Sequence, residues 1–195
     1  MTEIDGKDIN LSYVQAHDGV RKLLEYIGEN PEREGLLDTP ARVLKAYSEM
    51  LSGYSADVAD ILKTTFQDGI DYDQMIVVKD IPFISYCEHH MLPFPGVAHV
   101  GYLPTNRVVG LSKIPRIVDA FSKRLQVQER LTDQVADAIY DHLNPAGVGV
   151  IIQATHTCMT MRGVKKPGAS MVTTALRGSF MEPEQRQEFY NMVNQ

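Results

Sequence analysis

Cys87-Glu88-His89-His90 places a thiol, a carboxylate and two imidazoles in four consecutive residues. A Cys-x-x-His spacing lets two side chains of one turn converge on a tetrahedral metal ion. The only other cysteine of the chain, Cys158, follows a histidine in His156-Thr157-Cys158. The run from Gly147 to Thr155 reads as an apolar strand. If that strand continues, its period of two puts His156 and Cys158 on one face. Cys87, His90 and Cys158 then form a Cys-His-Cys set. Three protein ligands leave a fourth position for water, the pattern of catalytic zinc, which draws the pKa of that water toward neutrality.

His89 and His156 stand beside these segments without being needed as ligands. Each is read either as a proton carrier near neutral pH or as an ordinary hydrogen-bonded structural group. His17, His99 and His142 read as structural. Lys113 and Arg116 open a helix that begins at Ser112, where free backbone N–H groups also favour phosphate. Arg162, Lys165 and Lys166 follow the second cluster closely. These cations are either a phosphate-binding group or solvated surface charges. Glu129 lies in the polar run Gln126-Val127-Gln128-Glu129-Arg130-Leu131-Thr132. It belongs either to an exposed helix start or to a carboxylate that accepts two parallel N–H bonds, matching the N1–H and 2-amino edge of guanine.

The elements that must position these groups change period along the chain. Val20, Leu23, Leu24 and Ile27 follow i, i+3, i+4, i+7 spacing and predict a helix that stops at Gly28. Thr39 reads as an N-cap with Pro40 in the first helical position, and Val43, Leu44, Tyr47 and Leu51 as the stripe that follows. A third helix is expected from Ser55, burying Val58, Ile61 and Leu62. From about residue 74 strand-like runs take over: Met75 to Val78, Ile81 to Tyr86 and Gly96 to Leu103. Helices are then expected from Ser112 and from near Thr132, strands over Gly147 to Thr155 and Ser170 to Leu176, and a terminal helix presenting Phe189, Met192 and Val193. Short connections between strand pairs, with helices inserted, predict an α+β fold with a mainly antiparallel sheet. The expected organisation is a helical region over 1–73 and a catalytic domain over 74–195, together one structural unit.

The whole chain has 195 residues, with 19 Lys and Arg against 25 Asp and Glu, and a net charge of −6. That balance argues against a nucleic-acid partner, which a basic face would attract. It leaves room for a small anion, because a few local cations outweigh a global excess. No run of 18 apolar residues occurs, so no membrane-spanning helix is expected. The start, MTEIDGKDIN, shows no apolar secretory segment, so a cytoplasmic location and reduced thiols are expected.

Taken together, Ser85-Tyr86-Cys87-Glu88-His89-His90, Gly110-Leu111-Ser112-Lys113, Arg116-Ile117-Val118, the run from Gln126 to Thr132, and His156-Thr157-Cys158-Met159 followed by Arg162-Gly163 resemble GTP cyclohydrolase I. Asn30 to Pro40 is similar to the N-terminal helical region of that family, and the resemblance spans roughly residues 17–190. It implies the tunnelling fold, an antiparallel sheet with helices on one face and an N-terminal helical extension, assembled as a homodecamer with active sites between subunits. It implies Zn2+ on Cys87, His90 and Cys158, and GTP as substrate. Glu129 and Gln128 would hold guanine, and Ser112 would lie near the ribose. Lys113, Arg116 and Arg162, with Arg42 and Lys45 from the N-terminal helix, would meet the triphosphate. The implied reaction opens the imidazole ring at C8 and releases formate. An Amadori-type rearrangement and ring closure then give 7,8-dihydroneopterin triphosphate. His156 would protonate N7, and His89 would serve phosphate contact and proton transfer. Tyr86, Thr157 and Pro115 depart from the family's usual residues without touching an implied ligand. The His-x-Glu and Pro-Cys-x-x-Cys pair of the zinc nucleobase deaminases is absent.

Overall fold

The computed structural model describes residues 9–63, 65–66, 72–105 and 107–195. The chain divides into a first unit that ends at Leu51 and a second unit from Ser52 to Gln195. In the first unit, α1 (Ile9–Tyr26) packs against α2 (Thr39–Met50). Two helices supply too little apolar area to close a core. The expected buried stripe is therefore half open: Val20 and Leu24 are half-buried, while Leu23 is 57% and Ile27, just past the helix, 62% exposed. Gly28 ends that helix with φ +89°, a left-handed conformation natural for glycine. Asp38, rather than Thr39, occupies the cap of α2, and Pro40 lies in its first turn, where a missing N–H is harmless.

The second unit begins with α3 (Val58–Leu62), whose N-cap is Asp57: its carboxylate accepts from the Asp60 N–H at 3.0 Å. There follow β1 (Thr65–Phe66), β2 (Ile76–Cys87), β3 (Pro93–Leu103), β4 (Val108–Val109), α4 (Lys113–Ser122) and β5 (Leu125–Gln126). The chain continues with α5 (Gln128–Leu143), β6 (Gly147–Ala154), α6 (Thr157–Thr160), β7 (Met171–Gly178) and α7 (Pro183–Asn194). Five strands form one sheet in the order β5-β2-β3-β6-β7, and β1 pairs separately with β4. All neighbours in the large sheet are antiparallel except β5, which runs parallel to β2.

The two runs expected as separate strands around residue 79 are one strand with a bulge, where the register shifts between Val78 and Ile81. Asp80 there has φ +57°, and its N–H donates to His99 Nδ1 at 3.2 Å. That bond and burial, which pulls the His99 pKa down, make this histidine structural, as its place in a strand predicted.

Alternation in β3 and β6 puts Phe94, Ala98, Val100, Tyr102, Val148, Val150 and Ile152 on one face. They form one apolar cluster with Ile114, Ile117 and Val118 of α4 and Leu131, Val135 and Ile139 of α5. The long helices thus lie on the expected face. α7 covers the end of the opposite face, where Phe189 packs edge-on against Phe180 at 5.4 Å. Gly101 and Gly149 make room for those rings: a Cβ at either would come within 2.8 Å of Phe189. No helix among the described residues is long and apolar enough to cross a membrane.

Candidate active site

β2 ends at Cys87, and the chain turns at once. Met91 N–H donates back to the Cys87 carbonyl at 2.7 Å, and Cys87 N–H donates to Leu92 O at 2.9 Å. Met91 closes the turn in the left-handed region, φ +54°. The tight reversal lifts His90 back toward Cys87, with Nδ1 3.6 Å from Sγ. Cys158 completes the group: the ligand atoms of Cys87, His90 and Cys158 all lie within 4.8 Å of one another. Both cysteines are free thiols.

Cys158 arrives by a different route from the one its spacing predicts. β6 stops at Ala154, His156 takes the N-cap position of α6, and Cys158 lies in that single helical turn. A helical turn, not strand alternation, therefore sets its direction. The reason is local: the last ladder pair is Gly96 with Ala154, and the next residue of β3, Pro95, has no N–H to donate back to β6. Thr155 N–H still donates to Pro95 O, and the Thr157 hydroxyl reaches Pro93 O.

This donor set fits zinc. A tetrahedral centre with bonds of about 2.3 Å to sulfur and 2.0–2.1 Å to nitrogen has a sulfur–nitrogen edge of about 3.5 Å, close to the Cys87–His90 separation. Two thiols and an imidazole are also the soft and borderline donors that such an ion prefers. Burial and the neighbouring Cys87 push the Cys158 thiol up. Two thiolates this close need a cation between them.

The turn is held from outside. Glu88 N–H donates to Gln126 O of β5 at 3.0 Å, and the Arg130 guanidinium grips both Glu88 oxygens at 2.7 and 2.9 Å. The bidentate pair keeps the Glu88 carboxyl below its usual range. Arg130 thereby ties the metal turn to the first turn of α5. Arg130→Ala is expected to weaken zinc affinity by roughly tenfold while leaving the ligands in place, since partners that orient ligands act on this scale. Competition with a chromogenic chelator measures it, and unchanged affinity would show that the clamp is dispensable.

His156 stands two residues before Cys158, at the N-cap of α6. Its ring stacks on fully buried Phe94, centroids 4.5 Å apart and planes 10° from parallel. Its Nε2 is 2.9 Å from Gln128 Oε1. Burial lowers its pKa, partly opposed by the nearby Glu129 carboxylate, so the ring is neutral at pH 7. Glu129 itself is exposed in the first turn of α5.

α5 begins at Gln128 rather than near Thr132, and this moves the polar run onto a helix. Gln128 is 1% exposed, and its amide nitrogen donates into Ile152 O, Met171 O and Thr173 Oγ1. The side chain expected on guanine is thus committed inside the protein. His89 is exposed, its Nδ1 3.8 Å from Cys87 Sγ. Arg162 is exposed, its guanidinium 3.3 Å from His90 Nε2, which puts one predicted cation at the centre.

The remaining predicted residues lie elsewhere on their elements. Ser112 sits at the N-cap of α4 without a side-chain cap bond, and Lys113 begins that helix. Arg116 lines a hollow with Gly53, Ala56, Ile61 and Lys123. Arg42, on α2 of the first unit, pairs with Asp38 at 3.0 Å, and Lys45 is exposed on the same helix. Phe94 and Thr173 carry no signal in the sequence that marks them as supports of the site. Arg130 and Thr132 stand inside the polar run, where the pattern points to the segment but not to their roles.

Fold and donor set together define the class: an α+β domain presenting a Cys-His-Cys centre able to hold a metal ion, with a histidine stacked on Phe94 two residues before one of its cysteines. Residues 16–194 match the family model of GTP cyclohydrolase I, and the chain is an enzyme that belongs to that family. The protein called GTP cyclohydrolase 1 in Bartonella quintana (strain Toulouse) is 51% identical over 93% of this chain and 88% of its own length. Its namesake in Caldanaerobacter subterraneus subsp. tengcongensis is 55% identical over 90% of this chain and 93% of its own length. That of Brucella suis is 54% identical over 89% of this chain and 81% of its own length.

Proposed function

We propose that this chain is a zinc-dependent GTP cyclohydrolase I that converts GTP and water to formate and 7,8-dihydroneopterin triphosphate. The observation that carries this reading is the meeting of two distant segments, the Cys87–His90 turn and the α6 turn, which brings Cys158 and, two residues before it, His156 stacked on Phe94. When bound on Cys87, His90 and Cys158, zinc supplies a water acidic enough to serve as nucleophile near neutral pH.

The chain's own residues do the rest. Glu129, exposed and anionic, accepts the N1–H and 2-amino protons of guanine, which turns the imidazole ring of the base toward the centre. His156, neutral and held in place, takes up a proton and passes it to N7, so that the C8–N bond breaks without leaving a bare anion. His89 contacts phosphate and assists proton transfer. Arg162 lies at the centre already, through His90, and meets the triphosphate with Lys113 and Arg116. Arg42 and Lys45 reach the triphosphate from the N-terminal helix, and Ser112 lies near the ribose. Gln128 has no free amide proton to offer guanine, and its place in the reaction is through His156.

Assembly into a homodecamer, with active sites at subunit interfaces, completes the pocket. Three features support self-association. His90 is exposed in the single chain. β7 is an eight-residue edge strand of the sheet, and such edges seek partners. α1 leaves Leu11, Val14, Leu23 and Tyr26 more than half exposed. The organisation we propose keeps a helical N-terminal region and a catalytic region as one working enzyme in the cytoplasm.

Incubating the zinc-loaded protein with GTP tests the proposal. Formate and a pterin that fluoresces after oxidation are expected in about equal amounts. Pterin-free incubations with zinc-replete protein, or product without formate, would overturn it.

A further inference from the structure

The amide of Gln128 sits in a hydrogen-bond network whose proton directions are all determined. Its Nε2 lies 3.0 Å from Ile152 O, 3.1 Å from Met171 O and 3.1 Å from Thr173 Oγ1. Two of these partners are backbone carbonyls, which only accept. That end of the side chain must be the NH2, and the other end the carbonyl. Thr132 Oγ1 lies 2.7 Å from the backbone carbonyl of Gln128, so its proton is committed there. In the 2.7 Å contact between the two threonine hydroxyls, Thr173 is therefore the donor. Its oxygen stays available as an acceptor for the amide. The donor and acceptor ends are fixed before His156 is considered, the two amide hydrogens being shared among three acceptors.

What remains is Gln128 Oε1, an acceptor only, 2.9 Å from His156 Nε2. The hydrogen of that bond must come from the ring. We infer that Gln128 is a positioning residue for His156: it holds the imidazole as the Nε2–H tautomer and leaves Nδ1 as the nitrogen that exchanges a proton with substrate.

Two restraints act on the ring in different ways. The Phe94 stack fixes its plane, and the Gln128 bond fixes its rotation within that plane. Neither restraint is open to water, because Phe94, Gln128 and Thr132 are at most 1% exposed. The network also spans elements: α5 supplies Gln128 and Thr132, β6 supplies Ile152, and β7 supplies Met171 and Thr173. The position of His156 is thus referred to the sheet and not to its own short helical turn. A buried amide flip would set the Nε2 protons against the ring and leave two carbonyls facing an oxygen, which the geometry forbids.

This inference rests on the reading of His156 as proton carrier, and its test separates the two. Zinc-loaded protein labelled with 15N-histidine is observed by long-range proton–nitrogen correlation, with the His156 signals assigned by their loss in His156→Asn. The wild type is expected to show a protonated Nε2 and an unprotonated Nδ1. Gln128→Leu is expected to populate both tautomers and to lower kcat by on the order of tenfold or more, with a smaller change in KM. A wild-type ring protonated on Nδ1, or an undisturbed Nε2–H tautomer in Gln128→Leu, overturns the inference. The wild-type spectrum decides even if the leucine variant fails to fold. Because the tautomer is read without GTP, loss of the proton-carrier reading would leave this result standing.

Discussion

Cys158→Ala is expected to lose its zinc and its turnover together. Cys87 and His90 come from one turn, only three residues apart, and a two-ligand site binds zinc far more weakly than a three-ligand one. Protein dialysed against a weak chelator is expected to hold about one zinc per chain in the wild type and less than about a tenth of that in the variant. Formate release from GTP is expected to fall in proportion to the metal. The fold is expected to survive, because Cys158 packs only at the margin of the apolar cluster and lies on a turn that carries little of the core. Removing it also removes the neighbour that raises the cost of ionising a second thiol. Metal analysis beside far-ultraviolet circular dichroism separates the outcomes. A folded variant that keeps about one zinc per chain would remove Cys158 from the ligand set. The wild-type site has a pH dependence of definite sign. Burial and the neighbouring Cys87 raise the Cys158 thiol, so binding zinc must release its proton, and affinity is expected to fall as pH drops.

The candidate metal group was legible because chemistry restricts it: two cysteines in the chain, each near a histidine, leave few ways to build such a group. Helices with full apolar stripes were legible for the same kind of reason, as Ile114, Ile117 and Val118 show. The directions of side chains were not. Strand alternation predicted one face for His156 and Cys158, but the β6 ladder ends at Ala154 opposite Gly96, beside Pro95, and the chain turns helical. That event is decided by the prolines of another strand. Gln128 tells the same story from the other side. The polar run marked a helix start, and the start falls at Gln128 because Val127 is still extended, with φ −110° and ψ 146°. Three or four residues of boundary shift decide whether Gln128 faces solvent or the sheet, and only its acceptors on β6 and β7 fix that choice. Two-residue strands such as β1, β4 and β5 have no period to read at all. β5 nonetheless matters, since its pairing to Cys87 holds the metal turn.

His156→Ala is expected to keep zinc and lose most turnover. None of the three ligands is removed, so metal content stays at about one per chain. A positioned proton carrier contributes on the order of 100-fold to 10,000-fold, and kcat is expected to fall within that range, with the KM for GTP changing less. The substitution has a second, separable effect. It empties the face of Phe94 and strips Gln128 Oε1 of its donor, both in a buried setting. An orphaned buried acceptor costs about 1–3 kcal/mol, so the variant is expected to melt several degrees lower. Assays well below its Tm keep stability from passing for chemistry. Near-normal kcat in a zinc-loaded, folded variant would place the proton donor elsewhere, and His89, exposed beside the same centre, would be the next group to test. A double variant distinguishes a shared role from a single one. If His89 carries part of the flux, His89→Ala in the His156→Ala background lowers kcat further. If His156 carries all of it, the second substitution changes kcat little, because the step that used the proton is already the slow one.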